Sequence, residues 1–480
     1  MPSSIELNIG QAPTPRRQRP DDDGVTPFRV VVLGDFSGRP RAERDALAQR
    51  RAVRVDIDNF ESVFARMAPL AEIAGLQDKL GVALRIKLET MDEFSADAVL
   101  ARLPAQALAR AAAPQGVPPA PAGSPAAQAE DAAAMMQRLL GGHLPAGSPA
   151  LAAAPVAPKA DAAVDRFIRQ LVGDQVAPPQ PPSPTVATHG SNDTAAALLR
   201  HVLRDPAWRH LECAWRAVDR FVRELDMADG EVRLELLDCR ADELLADLTA
   251  SAGDPAHAAL TSVLKGDGRG CDIVVSLEEF GPSLAELSLL GGLAAVATAQ
   301  GAVLLAGAAP ALAAVAASED AQVLASNESR VWRALRESAL APHLGLTFPR
   351  LLARLPYGPR NDPVAAFAFD ELADAATSLH DQLAWRSAAL DAALLLAQGH
   401  SQGGVETLLQ LEDLPAFIDR SGDEPRLQAV AEAYLGEREV NVLQAAGLIA
   451  LQSDRRMPHA RVSSWQSIAA GGGDLAGSWR

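Results

Sequence analysis

The chain has 480 residues, and its 44 basic residues against 61 acidic ones give a formal net charge of −17. A surface this acidic repels phosphate backbones and anionic lipid, which argues against a protein that binds nucleic acid or a membrane surface. Hydrophobic residues make up 48% of the sequence, which excludes disorder along the whole chain, and the length favours two or more domains.

The chain begins with a polar tail and a small folded unit. Residues 1–26 are interrupted by prolines and have no apolar core, so they are predicted to be a disordered tail and not a signal peptide. Residues 27–103 are predicted to fold as a unit, in which residues 28–33 form a buried strand that runs into a glycine turn. A helix and a half-buried strand follow, and Ser95 is a natural N-cap for a closing helix.

Composition changes sharply in residues 104–193. This stretch is rich in alanine, proline and glycine and poor in large apolar residues. It cannot bury enough surface to offset its chain entropy, so it is predicted to be a linker. Two short amphipathic stretches, at 130–140 and 161–173, predict two short helices within it.

Residues 194–480 alternate predicted helices and strands. A long helical pattern is followed by strands near 232, 271 and 301, with helices between them. Such alternation predicts an α/β fold with mixed, mostly parallel sheets flanked by helices. The apolar run at 287–317 is long enough to span a bilayer, but glycines and a proline interrupt it, and it is interpreted as a buried helix followed by a buried strand.

The glycine turn at 34–38 does not match a phosphate-binding loop. The GxxxxGK[ST] pattern needs a lysine that is absent here, and Asp35 would repel phosphate. The dinucleotide pattern GxGxxG is also missing, and the glycine-rich stretch at 265–275 precedes a strand instead of a helix. Both stretches are therefore predicted to be tight turns, and no cofactor site is predicted.

The remaining chemistry-bearing residues form no recognisable catalytic or metal-binding pattern. No Gly-x-Ser-x-Gly elbow and no HExxH pair is present, and the acidic pairs Asp56/Asp58 and Glu278/Glu279 are interpreted as loop charges. Three cysteines without a CxxC pair are interpreted as buried thiols in a reducing compartment, which predicts a cytoplasmic protein. No catalytic, cofactor-binding or metal-binding residue is predicted, and the protein is predicted not to be an enzyme. The histidines are interpreted as surface or satisfied core residues, and the tryptophans as core anchors. They are His201, His210, His343, His380 and His400, and Trp208, Trp215, Trp332 and Trp385.

A proline-rich and aromatic arm at 346–372 suits fixed protein contacts.

Several segments then carry a family resemblance. FRVVVLGDFSGR and VRVDIDNFESVFARMAP resemble the small subunit of the type VI secretion contractile sheath. The segments that resemble the large subunit are RDPAWRHLECAWRAVDRFV, VRLELLDCRADELLADL, LGLTFPRLLARLPYG, DPVAAFAFDEL and EDLPAFIDRSGDEPRLQAVAEAYLGEREVNVLQAAGLIALQ.

The resemblance implies a structural protein that carries a small sheath subunit at 27–103 fused to a shortened large sheath subunit at 194–480. It implies other sheath subunits, the inner tube protein and baseplate components as partners, in a hetero- or homo-oligomer, with no nucleic acid and no membrane insertion. The linker at 104–193 and the chain end at Arg480 stand where the family's linking segments are expected. Two alternatives stay open: an accessory or capping protein at the sheath end or baseplate, and an α/β enzyme with an unrecognised site.

Overall fold

The computed structural model describes residues 27–73, 84–103, 186–225, 227, 230–251, 254–266, 270–374, 376–402, 404, 409–420, 425–477 and 479. The predicted tail at 1–26 and the two predicted linker helices lie outside these residues. The described residues of 27–103 and 194–480 belong to one compact unit. Residues 108–193 form a second unit, of which only the start of one helix is described.

Strands are distributed over both parts of the compact unit. They are β1 (Phe28–Gly34), β2 (Val53–Val55), β3 (Leu70–Ile73), β4 (Leu84–Lys87), β5 (Val232–Asp238), β6 (Ile273–Phe280), β7 (Val303–Ala308), β8 (Leu344–Phe348), β9 (Leu351–Leu352), β10 (Trp385–Arg386), β11 (Gln410–Leu411), β12 (Ile418–Asp419), β13 (Arg426–Leu427), β14 (Leu448–Ser453) and β15 (Ala460–Val462).

Helices connect most of these strands. They are α1 (Phe60–Met67), α2 (Ala96–Arg102), α3 (Val186–Arg204), α4 (Pro206–Glu224), α5 (Ala241–Ala250), α6 (Ala259–Lys265), α7 (Leu284–Ala299), α8 (Pro310–Ala316), α9 (Ala321–Leu324), α10 (Asn327–Arg336), α11 (Leu379–Gln382), α12 (Ala389–Gln402) and α13 (Glu437–Ala445). Short 3-10 turns occur at Arg41–Glu43, Leu47–Gln49, Met91–Phe94, Pro255–His257 and Ala341–His343.

Helix starts follow the local sequence. The side chain of Ser95 accepts a hydrogen bond from the backbone N–H of Ala98, which caps α2 as predicted. Asp205 caps α4 in the same way, and Pro206 occupies the first helical position, where its missing N–H costs nothing. The Asp-Pro step therefore divides the long helical pattern into α3 and α4.

Nine strands form one sheet in the order β11-β15-β14-β8-β7-β6-β1-β5-β2. The neighbours from β14 to β5 are parallel, whereas β2, β11 and β15 pair antiparallel. On one face, Val31 and Leu33 belong to the same core cluster as Leu290 and Leu293 of α7. The prediction of an α/β fold with a mixed, mostly parallel sheet flanked by helices is confirmed.

The apolar run at 287–317 is divided among α7, β7 and α8. This confirms the predicted buried helix and buried strand. Among the described residues, no helix has the length and apolar character needed to cross a membrane.

Candidate functional site: the contact between the two segments

Strand β1 of the N-terminal segment (residues 27–103) lies between two strands of the C-terminal segment (residues 194–480). It pairs in parallel with β5 along its whole length and with β6 over residues 30–33. The side chains of Val30, Val31 and Val32 are fully buried, and valine packs well on the surface of a sheet. Because β1 bonds to both neighbours, the sheet of the C-terminal segment is continuous only when the N-terminal segment is in place.

Aromatic side chains form a second contact between the segments. The rings of Phe64 and Trp215 lie 4.6 Å apart, and those of Phe94 and Trp208 lie 5.3 Å apart. The indole Nε1–H of Trp215 donates to the carbonyl oxygen of Phe36 over 3.0 Å. Both tryptophans are fully buried, and inclined aromatic pairs stabilise a core beyond the area they bury. The prediction that Trp208 and Trp215 anchor the core is confirmed.

The proline-rich and aromatic arm contacts the N-terminal segment as well. The hydroxyl of Tyr357 donates to the carbonyl oxygen of Phe94 over 3.2 Å. The backbone N–H of Ala365 donates to the carboxylate of Asp97 over 3.0 Å. Tyr357 is buried, so this part of the arm serves a contact within the chain.

Ion pairs also cross from one segment to the other. The guanidinium of Arg29 lies 2.6 Å from Glu235, and that of Arg50 lies 2.6 Å from Glu243. Both carboxylates are buried, where an unpaired charge is costly. The N-terminal segment therefore supplies a guanidinium to each of these carboxylates, and Glu235 also pairs with Arg233 of its own segment over 2.6 Å.

The glycine turn after β1 is closed by two carboxylates. The backbone N–H groups of Phe36 and Ser37 donate to Asp238 Oδ1 over 2.8 and 2.9 Å. The N–H of Gly38 donates to Asp35 Oδ1 over 2.7 Å. In a phosphate-binding loop such amides donate hydrogen bonds to the ligand. Here they donate to the carboxylates of Asp35 and Asp238 instead.

Glycine is required in this turn for a steric reason. Gly38 has a φ of +61°, and a Cβ atom at this position would lie 2.3 Å from the carbonyl oxygen of Leu70. The second glycine-rich stretch begins with Gly266, which ends α6 at a φ of +46°. Both glycines therefore serve turns, as the sequence predicted.

A buried ionic cluster connects α4 to the arm. Arg354 donates to Glu212 over 2.8 Å and to Glu371 over 2.7 and 2.9 Å, and its guanidinium lies 4.3 Å from the ring centre of Tyr357. Burial alone would lower the pKa of Arg354, but the two carboxylates outweigh it and raise that pKa well above its usual value. Burial would likewise raise the pKa of Glu212, but Arg354 and Arg216 lower it. The charges of this cluster are therefore stable only as a set.

A second polar cluster gathers at the carboxyl end of β6. His380 Nε2 lies 2.7 Å from Glu432, and Arg350 lies 2.5 Å from Glu432 and 3.5 Å from Glu279. The interpretation of Glu278 and Glu279 as loop charges is wrong, because both lie in β6. Burial raises the pKa of Glu279 to about 7, against the opposing effect of Arg350. The hydrophobic pattern of the strand could not predict this cluster, because Arg350 and Glu432 are distant from Glu279 in the sequence.

Replacement of Glu279 by glutamine is expected to stabilise the protein above pH 7. A carboxyl whose pKa is raised from 4.5 to about 7 contributes stability below pH 4.5 that is lost as the pH rises through 7. At pH 8 the ionised group costs up to about 3 kcal/mol, and Glu279→Gln removes this cost, while Arg350 keeps Glu432 as its partner. Urea unfolding between pH 5 and pH 8 measures the effect, with Glu278→Gln as a control for the loss of one charge. Parallel pH profiles for Glu279→Gln and the wild type would contradict it.

The three cysteines are free thiols. Cys213, Cys239 and Cys271 are buried and unpaired, as predicted. Burial raises the pKa values of Cys213 and Cys271 to about 12, which keeps their thiols protonated. Within the described ranges, no three His, Cys, Asp or Glu side chains are grouped to hold a metal ion. Trp332 is buried and Trp385 is half-buried.

Two family models match the two segments. The model described as EvpB/VC_A0108, tail sheath N-terminal domain (VipB), matches residues 192–469. The model described as Type VI secretion system, VipA, VC_A0107 or Hcp2, matches residues 22–110. The C-terminal match alone spans more than half of the chain.

Two curated proteins of Pseudomonas aeruginosa are similar to the same segments. The type VI secretion system sheath protein TssC1 is 28% identical over 250 residues, which is 47% of this chain and 49% of TssC1. The type VI secretion system sheath protein TssB1 is 33% identical over 76 residues, which is 15% of this chain and 44% of TssB1. The chain thus spans about half the length of each relative.

The two matched ranges coincide with the two segments that share the large sheet. The VipA-type segment supplies β1, which lies between two strands of the VipB-type segment. The chain belongs to the type VI secretion sheath family, as a small-subunit segment fused to a large-subunit segment.

Proposed function

We propose that the protein is a structural, non-enzymatic subunit that assembles with other type VI sheath subunits around the inner tube. The observation that carries the proposal is the position of β1. Through this strand, the two sheath segments of one polypeptide share a single sheet. One chain therefore supplies a preassembled pair of segments that two separate sheath chains would have to form by association.

Fusion favours this pairing by mass action. A tether turns the association of two parts into an intramolecular step with a high effective concentration. This gain in the stability of the pairing requires no contacts beyond the buried aromatic and ionic contacts described above. We propose the inner tube protein and the baseplate components as further partners.

The non-enzymatic role is supported by how the polar groups are used. The amides of the glycine turn are filled by Asp35 and Asp238, and the buried Arg354 is committed to two glutamates. The three unpaired, buried thiols suit a reducing compartment. We therefore place the proposed function in the cytoplasm.

The purified chain is expected to be monomeric or to form small oligomers, and to enter long assemblies only beside separate sheath subunits. The edge strands β2 and β11 have three and two residues, and edges this short resist the addition of further strands. Electron microscopy and sedimentation of the chain alone, and after coexpression with full-length small and large sheath subunits, measure this. Incorporation along the sheath supports the proposed function, whereas binding only at sheath ends or baseplates would identify an accessory or capping protein. Long regular filaments of the chain alone would contradict the expected dependence on partners.

A further inference from the structure

The loop between β14 and β15 forms an exposed basic and apolar surface, here called the basic corner. It consists of Arg455, Arg456 and Met457 of the loop and Arg461 of β15, all exposed, and 55% of Met457 is accessible to solvent. In the part of the chain that the structure describes, none of these arginines makes an ion pair, and Arg455 lies 5.5 Å from the ring centre of Tyr434. A cluster of unpaired cations stands out in a chain with a net charge of −17.

Asp454 lies beside the basic corner, but among the described residues its ion-pair partner is His459 and none of the three arginines. The carboxylate of Asp454 accepts hydrogen bonds from the backbone N–H groups of Arg456 and Met457 over 2.6 and 3.1 Å. It also lies 3.7 Å from His459. Asp454 therefore shapes the loop, and the three guanidinium groups remain directed at solvent or at Tyr434.

The turn after β2 forms an acidic and apolar surface, here called the acidic corner. It consists of Asp56, Ile57 and Asp58 of the turn and Glu61 of α1, and Ile57 is 59% accessible to solvent. Asp56 lies 3.6 Å from Arg54, whereas Asp58 and Glu61 make no ion pair with any described residue. The corner thus pairs an exposed aliphatic side chain with carboxylates, as the basic corner pairs one with guanidinium groups.

The two corners lie near opposite edges of the same sheet. β2 is the last strand and β11, next to β15, is the first. Nine strands spaced at about 4.8 Å extend over roughly 38 Å, so the two corners cannot meet within one chain. The basic corner follows the carboxyl end of β14, whereas β2 runs antiparallel to β5 and ends opposite its amino-terminal half. The corners are therefore diagonal across the sheet.

We propose that the basic corner of one copy binds the acidic corner of a second copy of this chain. Met457 would pack on Ile57, and the arginines would face Asp58 and Glu61. Two identical corners would bring like charges together, so unlike corners must meet. Because the two corners lie near opposite edges of the sheet, an edge-to-edge contact between unlike corners joins copies head to tail. The diagonal placement offsets successive copies along the strand direction. The inference extends the proposed function, because it identifies a surface through which copies associate.

Cysteine cross-linking of the full chain tests this arrangement. The native thiols are buried, so a short bismaleimide will react with engineered exposed cysteines. A mixture of Ile57→Cys and Met457→Cys chains is expected to give a cross-linked dimer, and a chain with both changes is expected to give a ladder of small oligomers. Each single variant alone is expected to give no dimer above the level of Leu284→Cys, a control at a similarly exposed residue.

Charge reversal separates this contact from chance collisions. Arg455→Glu with Arg456→Glu in the Met457→Cys chain is expected to lower the mixed dimer at least fivefold, and Asp58→Arg with Glu61→Arg in its partner is expected to restore it. Efficient dimers from either single variant alone, or no loss on charge reversal, would overturn the proposal. If the wild type enters sheaths and the corners do not cross-link, only the corner contact is wrong. If the wild type enters no sheath assembly, the proposed function fails instead.

Discussion

Cleavage at a protease site inserted within residues 104–185 is expected to leave two fragments that elute together on a sizing column. β1 is held between β5 and β6, and its large side chains, from Phe28 to Leu33, are almost fully buried. At about 1.5–3 kcal/mol for each large apolar side chain, their burial stabilises the unit by on the order of 10 kcal/mol. This is comparable to the whole stability of a typical domain.

A chain without residues 1–103 is expected to be insoluble or to lack a cooperative unfolding transition, because β5 and β6 would lose the strand between them. A chain without residues 1–26 is the matched control, since it keeps β1. Coexpression of the missing segment as a separate chain is expected to restore solubility. Two fragments that elute separately and each unfold cooperatively would show that the segments are independent, and would contradict the role given to β1.

Replacement of Arg354 by methionine is expected to destabilise the protein by about 3–5 kcal/mol, because it leaves the buried Glu371 without its cation and Glu212 with Arg216 alone. Glu212 and Glu371 are 0% and 1% exposed, so water cannot replace the guanidinium. Methionine fills a similar volume, which limits the contribution of a cavity. Urea unfolding at pH 7 measures the change in the free energy of unfolding.

The matched control is Arg223→Met. Arg223 also pairs with a carboxylate, that of Asp219 over 2.7 Å, but its side chain is 63% exposed. Exposed pairs of this kind contribute at most about 1 kcal/mol. Similar small losses for both variants would mean that the Arg354 cluster is solvated in solution. Simultaneous replacement of Arg354, Glu212 and Glu371 by apolar residues is expected to recover part of the loss.

The local elements and the family could be predicted from the order of the amino acids. The buried strand at 28–33, the N-cap at Ser95 and the helix and strand in the apolar run at 287–317 depend on residues only a few positions apart. Such short-range patterns of hydrophobicity and hydrogen-bonding side chains can be recognised without knowledge of the fold. The family resemblance was readable for the same reason, since it rests on contiguous segments.

The position of β1 in the sheet and the set of charges that are buried together could not be predicted in this way. Every buried parallel strand has a similar apolar sequence. No pattern in residues 28–33 therefore indicates that their neighbours are β5 and β6, which begin at Val232 and Ile273. Arg354 meets Glu212 across 142 positions. Glu279 owes its raised pKa to burial, a property of the folded surroundings. Pairings of this kind depend on the order of strands and on packing, and both are set by the whole chain.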